Sequence, residues 1–144
     1  MPIWTTAWQF WAALAAVFAA LTAIFAKAGV DDMNSDLATF LRTVVVVVVL
    51  GSLLAITKQF RGIGGVSARS AMFLVLSGLA TGASWLCYFR ALKLGTASQV
   101  APIDKMSVIL VAIFGALFLG DQLSPAAWLG VAMIAGGALL VALN

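Results

Sequence analysis

Three ionisable residues, Arg42, Asp104 and Lys105, lie inside apolar runs long enough to cross a bilayer as helices. On insertion scales, each costs roughly 2.5–3.5 kcal/mol at mid-membrane. Side chains carrying that cost face protein or a wet cavity, and intramembrane ionisable groups usually mark a substrate, ion or proton pathway. The chemistry open to this trio is recognition. Two cations and one carboxylate sum to +1, which favours an anionic or zwitterionic solute over a lipophilic cation, and Asp104 could carry a proton only if burial raises its pKa. The plainer reading is a structural ion pair inside a helix bundle.

The stretch around Asp104 reads ASQVAPIDKMSVILVAIFGALFL, Ala97 to Leu119. From Ser107 onward it has no charge. Pro102 lacks an N–H and frees a carbonyl one turn earlier, so a bend is expected there, for gating or merely for shape. Asp104 and Lys105 are adjacent and do not share a helix face. They are expected not to neutralise each other: one binds a neighbouring helix, the other faces the cavity.

A third run supplies a candidate wall. Ser77, Thr81, Ser84 and Tyr88 recur at i, i+4, i+7 and i+11, one polar stripe on a helix, with Trp85 beside it. The stripe lines a cavity or makes interhelical hydrogen bonds. On the second run, Ser35, Thr39 and Arg42 share a face, with Thr43 beside them. Lys27 and Arg90, at the ends of the first and third runs, are candidates for a structural or gating role.

Other chemistries find no support. There is no histidine, and Cys87 is the one cysteine, so neither an internal disulfide nor a Cys/His metal site can form. Ser107 lies near Asp104 without a base, no cofactor motif occurs, and the chain does not read as an enzyme. The net charge of +3 is too small and too scattered for nucleic-acid binding. The glycine-rich RGIGGVS, Arg61 to Ser67, lacks the Gly-Lys-Ser/Thr ending and the preceding strand of a phosphate cradle. It reads as a turn touching anionic lipid.

The elements that must position these residues follow from composition. Of 144 residues, 64% are apolar and 9% charged, against about 25% charged in soluble domains. The chain is therefore an all-α polytopic membrane protein, one domain over residues 1–144. Five transmembrane helices are expected at about 7–26, 37–57, 71–89, 97–119 and 126–143. Val44 to Val49 would suggest a strand in water, but a lone strand leaves its backbone unpaired in lipid, so helix is the better assignment. Lys27 to Gly29 suits a helix end, Ser35 or Asp36 a cap, and Ser124-Pro125 the start of the fifth helix. Arg90 and Lys93 fall in a short loop. Gly78 and Gly82, and Gly130, Gly136 and Gly137, suit close helix approach. Trp4, Trp8 and Trp11 form an interfacial belt or a substrate face.

Five crossings put the termini on opposite sides of the membrane. Helices two and four then start on one side, and Arg42 and Asp104 both sit roughly 8–11 Å deep from it. An ion pair between them is geometrically feasible. Loop bases number three on each side: Lys58, Arg61 and Arg69 against Lys27, Arg90 and Lys93. Insertion in a single orientation or in both stays open, and an antiparallel homodimer would supply an inverted repeat.

The pieces KAGV (Lys27–Val30), SDLATFLRT (Ser35–Thr43), SGLATGASWLCYFRALKLG (Ser77–Gly95), ASQVAPIDKMSV (Ala97–Val108) and FLGDQLSPAAWLGVAMIAGGALLV (Phe118–Val141) carry a resemblance. The chain resembles the EamA family of the drug/metabolite transporter superfamily, in its half-size, five-helix form. The likeness covers nearly the whole chain; one departure is Asp121, where the family commonly has Glu. It implies a membrane transporter, often an exporter of metabolites or drug-like compounds, in the cell (inner) membrane. Full-length relatives have ten helices as two inverted halves around a central cavity. A five-helix chain would match that by pairing as a homodimer, antiparallel or not, or with a paralogous half. The first helix carries no acid, unlike the small multidrug resistance proteins with their first-helix glutamate. The expected function is secondary transport of a small solute, with no cofactor. The alternative is a non-transporting membrane subunit that scaffolds a partner, Arg42 and Asp104 forming a structural pair.

Overall fold

A computed structural model describes residues 7–143. The elements in order are α1 (Trp8–Val30), α2 (Ser35–Ile56), a 3-10 segment (Gln59–Gly65), α3 (Ala68–Leu94), α4 (Ala97–Asp104), α5 (Ser107–Phe114), a π turn (Gly115–Leu119) and α6 (Pro125–Ala142). No strand occurs among the described residues, and Val44 to Val49 lies within α2. Five segments are long and apolar enough to cross a membrane: α1, α2, α3, the stretch Ala97–Leu119, and α6. At most 17% of any of their apolar windows is buried. Surfaces such as Val45, Val47, Leu76 and Leu79, each more than half exposed, are tolerable only against lipid or another chain. The chain is a multi-pass membrane protein.

Several element ends differ from the sequence expectation. α1 runs through Lys27 and Gly29 to Val30, and α3 spans 68–94, so Arg90 and Lys93 are helical rather than in a loop. A single glycine and a single base do not stop a helix whose carbonyls find other partners. Lys93 Nζ supplies them, donating to the Val30 carbonyl at 3.5 Å and to the Met33 carbonyl. The cap of α2 is Asn34, whose Oδ1 accepts from the Asp36 and Leu37 amides at 2.8 and 3.2 Å. Neither Ser35 nor Asp36 caps it. Two residues past the end of α2, Lys58 takes the left-handed region, φ 57°, a place usually given to glycine. Ser124 does cap α6, accepting from the Ala127 amide at 3.2 Å with Pro125 as the first helical residue.

The chain divides into two compact units, residues 28–93 and residues 1–27 with 94–144. In the first, the buried side chains Val30, Ala38, Thr39, Phe89 and Leu92 gather where α2 begins and α3 ends. In the second, α4 and α5 lie against α6. The glycines expected at helix contacts (Gly78, Gly82, Gly130, Gly136 and Gly137) have open space where a Cβ would be. The tight glycine is Gly115: a methyl there would lie 2.6 Å from Asp121 Oδ2. Gly120 takes φ +77°, and the Gly120 and Asp121 amides both donate to the Gly115 carbonyl, closing the π turn. Cys87 is exposed.

The fourth span is two short helices rather than one bent helix. α4 stops at Asp104, two residues past Pro102, and α5 begins at Ser107. Across the gap the amides of Met106, Val108 and Ile109 donate three residues back, at 2.9, 3.0 and 3.0 Å. The helix tightens to 3-10 pairing there and loses its regular register. The break therefore falls on Lys105-Met106, directly after Asp104, not on the proline.

Candidate solute-binding site

The region around Arg42 is built by α2 and α3 within the unit 28–93. Arg42 lies seven residues beyond the start of α2, roughly 10 Å along its axis. Its guanidinium carbon lies over the Trp85 ring, 4.1 Å from the centroid, and 5.7 Å from that of Phe89. Trp85 and Phe89 are one turn apart on α3 and share a face, so both rings reach the same cation. Phe89 is buried and fixes the position of that face; Arg42, Trp85 and Tyr88 are half-buried.

The hydroxyls near Arg42 are turned to the backbone. Thr39 donates to the Ser35 carbonyl at 2.9 Å and Thr43 to the Thr39 carbonyl at 2.8 Å. Among the described residues of this unit, no carboxylate stands within ion-pair distance of Arg42. A guanidinium over an aromatic face gains roughly 0.5–2 kcal/mol. That is less than the roughly 2.5–3.5 kcal/mol cost of a charge at mid-membrane. The rings hold this cation without neutralising it.

One turn or more toward the helix ends, Asp36 and Arg90 form a side-on pair. Arg90 Nε donates to Asp36 Oδ1 at 3.0 Å, and one of its terminal nitrogens to Oδ2 at 2.8 Å. Both side chains are largely exposed. This pair joins the start of α2 to the end of α3, over the same end that carries Arg42 and Trp85. Sequence reasoning gave Arg90 a gating or structural role and missed its partner. The available signal was that Asp36 begins a helix on the side where α3 ends.

In the other unit, Lys105 Nζ donates to Asp104 Oδ2 at 3.1 Å. This overturns the expectation that the neighbours could not pair. α4 ends at Asp104, with Lys105 as its C-cap. Pro102 and Asp104 are half-buried and Lys105 exposed. Lys27 is half-buried near the end of α1.

The helix-three stripe is not brought together as one lining. Thr81 and Ser84 are exposed, and the Thr81 hydroxyl donates to its own helix at the Ser77 carbonyl, 2.9 Å. Trp85 is the part of the wall that meets Arg42. Trp8 and Trp11 are exposed, as a belt requires, while Trp4 lies outside the described residues. No group of metal-ligating side chains occurs among the described residues.

The sequence profile of the EamA-like transporter family matches residues 6–143. The chain belongs to that family. A Sinorhizobium protein named as an uncharacterized transporter in the cobO 3' region is 61% identical to it over 135 residues, which is 94% of this chain and 96% of the relative. No solved structure matches. The EamA assignment and the relative's name both point to transport rather than to catalysis.

Proposed function

We propose that this EamA-family chain is a secondary transporter, working as an exporter of a small metabolite or drug-like solute in the cell (inner) membrane. It acts as a dimer, homodimeric or with a paralogous half, around a central cavity. Arg42, Trp85 and Tyr88 of the one unit, and Asp104 and Lys105 of the other, contribute to the path. Pro102 and the break beyond it give the fourth span its shape, and Lys27 and Arg90 act in gating or support. The observation that carries the reading is the half-buried Arg42 guanidinium, held by aromatic faces and unneutralised by any described carboxylate of its own unit. A purely structural arginine inside a membrane would have its charge matched.

The test is efflux from vesicles holding purified protein and a metabolite mixture, read by mass spectrometry of the outside medium. Transport predicts selective loss of some solutes, abolished by Arg42→Ala without loss of dimer yield. If no solute ever leaves, and Arg42→Ala and Asp104→Asn instead destroy assembly, the chain is a scaffolding subunit.

A further inference from the structure

Building on the transporter reading, we propose that Arg42 is the anion-recognising group of the site, and that the solute carries a carboxylate held by the edge of its guanidinium. A guanidinium has a face and an edge. Its face suits an aromatic ring, and its edge carries five N–H donors in a fork that matches a carboxylate. Here the ring contacts are already made, by Trp85 at 4.1 Å and Phe89 at 5.7 Å. Within the unit 28–93, Arg42 donates no hydrogen bond to any described residue.

The chain's own acids do not fill that role. Five are present. Asp36 gives both oxygens to Arg90, and Asp104 is paired with Lys105. Asp121 lies against Gly115, and Asp31 and Asp32 are in the turn before α2. Between Leu37 and Ile103 the sequence contains no acid. The cation is thus preorganised and uncompensated within its own unit, and a ligand carboxylate gains a charge-assisted fork without displacing a partner there. A cationic solute meets like charge instead.

The oxyanion has two sources, a soluble solute or a lipid headgroup, and the experiment separates them. Purified protein in detergent is titrated with two matched sets: benzoate, benzamide and benzylamine; and indole-3-acetate, indole-3-acetamide and tryptamine. Thermal stabilisation and equilibrium dialysis are the readouts. In at least one set the carboxylate is expected to bind roughly tenfold or more tighter than its amide, and the amine not at all. Arg42→Gln should abolish that preference, and Arg42→Lys, which keeps charge but loses the fork, should weaken it. Equal binding of acid and amide, preference for the amine, no response to either carboxylate, or an Arg42→Gln protein with unchanged preference overturns the proposal. If Arg42→Gln fails to fold, Arg42→Lys and the acid/amide ratio of the unaltered protein decide. In nanodiscs, phosphatidylglycerol that stabilises the protein through Arg42 and excludes benzoate would assign the site to lipid, also overturning it. Arg42-dependent carboxylate binding without flux would sink the transport reading and leave this subsite standing. Flux of another solute without such binding would do the reverse.

Discussion

The contact between Arg42 and Trp85 is the single interaction on which the site's geometry turns. A double-mutant cycle of Arg42→Ala and Trp85→Ala, read by unfolding in mixed micelles, should give a coupling of about 0.5–2 kcal/mol. Trp85→Phe should retain part of it, because a smaller aromatic face remains. Asp36 and Arg90 behave differently. Their geometry is bidentate, but both side chains stand largely in solvent, where salt screens charge. The stability difference between the unaltered protein and Asp36→Asn should therefore be small and should vanish in molar salt; a difference that persists would mean the pair is sheltered in the assembled protein. Arg42 stood out in the sequence because a charge in an apolar run is conspicuous. Phe89 did not, since one more phenylalanine in an apolar helix carries no signal until its ring is seen beside the cation.

At the scale of elements, the ends are where local chemistry and tertiary contact competed. Ser124-Pro125 starts α6 as its residue types dictate, and Ser124→Ala should cost roughly 1 kcal/mol. Gly120 sits at φ +77°, so Gly120→Ala should cost roughly 1–2 kcal/mol in the same unfolding assay, and Gly120→Asn less. Lys58 occupies the same backbone region without glycine's freedom, and Lys58→Gly should not destabilise. The fourth span tests where a helix breaks. If the gap at Lys105–Met106 is set by the 3-10 pairing rather than by the proline, Pro102→Ala will leave amide exchange at Ser107 fast. Protection of that amide in the variant would make Pro102 the origin. Pattern alone favoured the proline, since it is the one residue whose effect on a helix is known in advance.

For the whole molecule, the decisive quantity is exposed apolar surface. Each span leaves more than four-fifths of its apolar window unburied by the chain itself, at most 17% being covered. Lipid accepts that surface, and so does a second copy. Membrane helices gain nothing by hiding leucine from lipid, so pairing must rest on close packing and polar contacts. The glycines Gly78, Gly82, Gly136 and Gly137, open in the single chain, are available for it. Light scattering of the detergent complex should return twice the chain's mass, and Gly78→Leu or Gly136→Leu should lower that fraction; a strictly monomeric protein active in flux would remove the dimer from the proposal. Reporters on the C-terminus, active on opposite sides, then separate a parallel dimer from an antiparallel one.

Composition alone established a five-span helical membrane protein, because an apolar backbone in lipid must satisfy its own hydrogen bonds and does so as helix. The same sequence pointed to the three charges and to the family. Tertiary structure decided their partners: Arg42 to two rings, Asp104 to Lys105, Arg90 to Asp36. Partner choice depends on which helix faces meet, settled for Arg42 and Arg90 by contacts between residues far apart in the chain, and for Asp104 and Lys105 on where the helix stops.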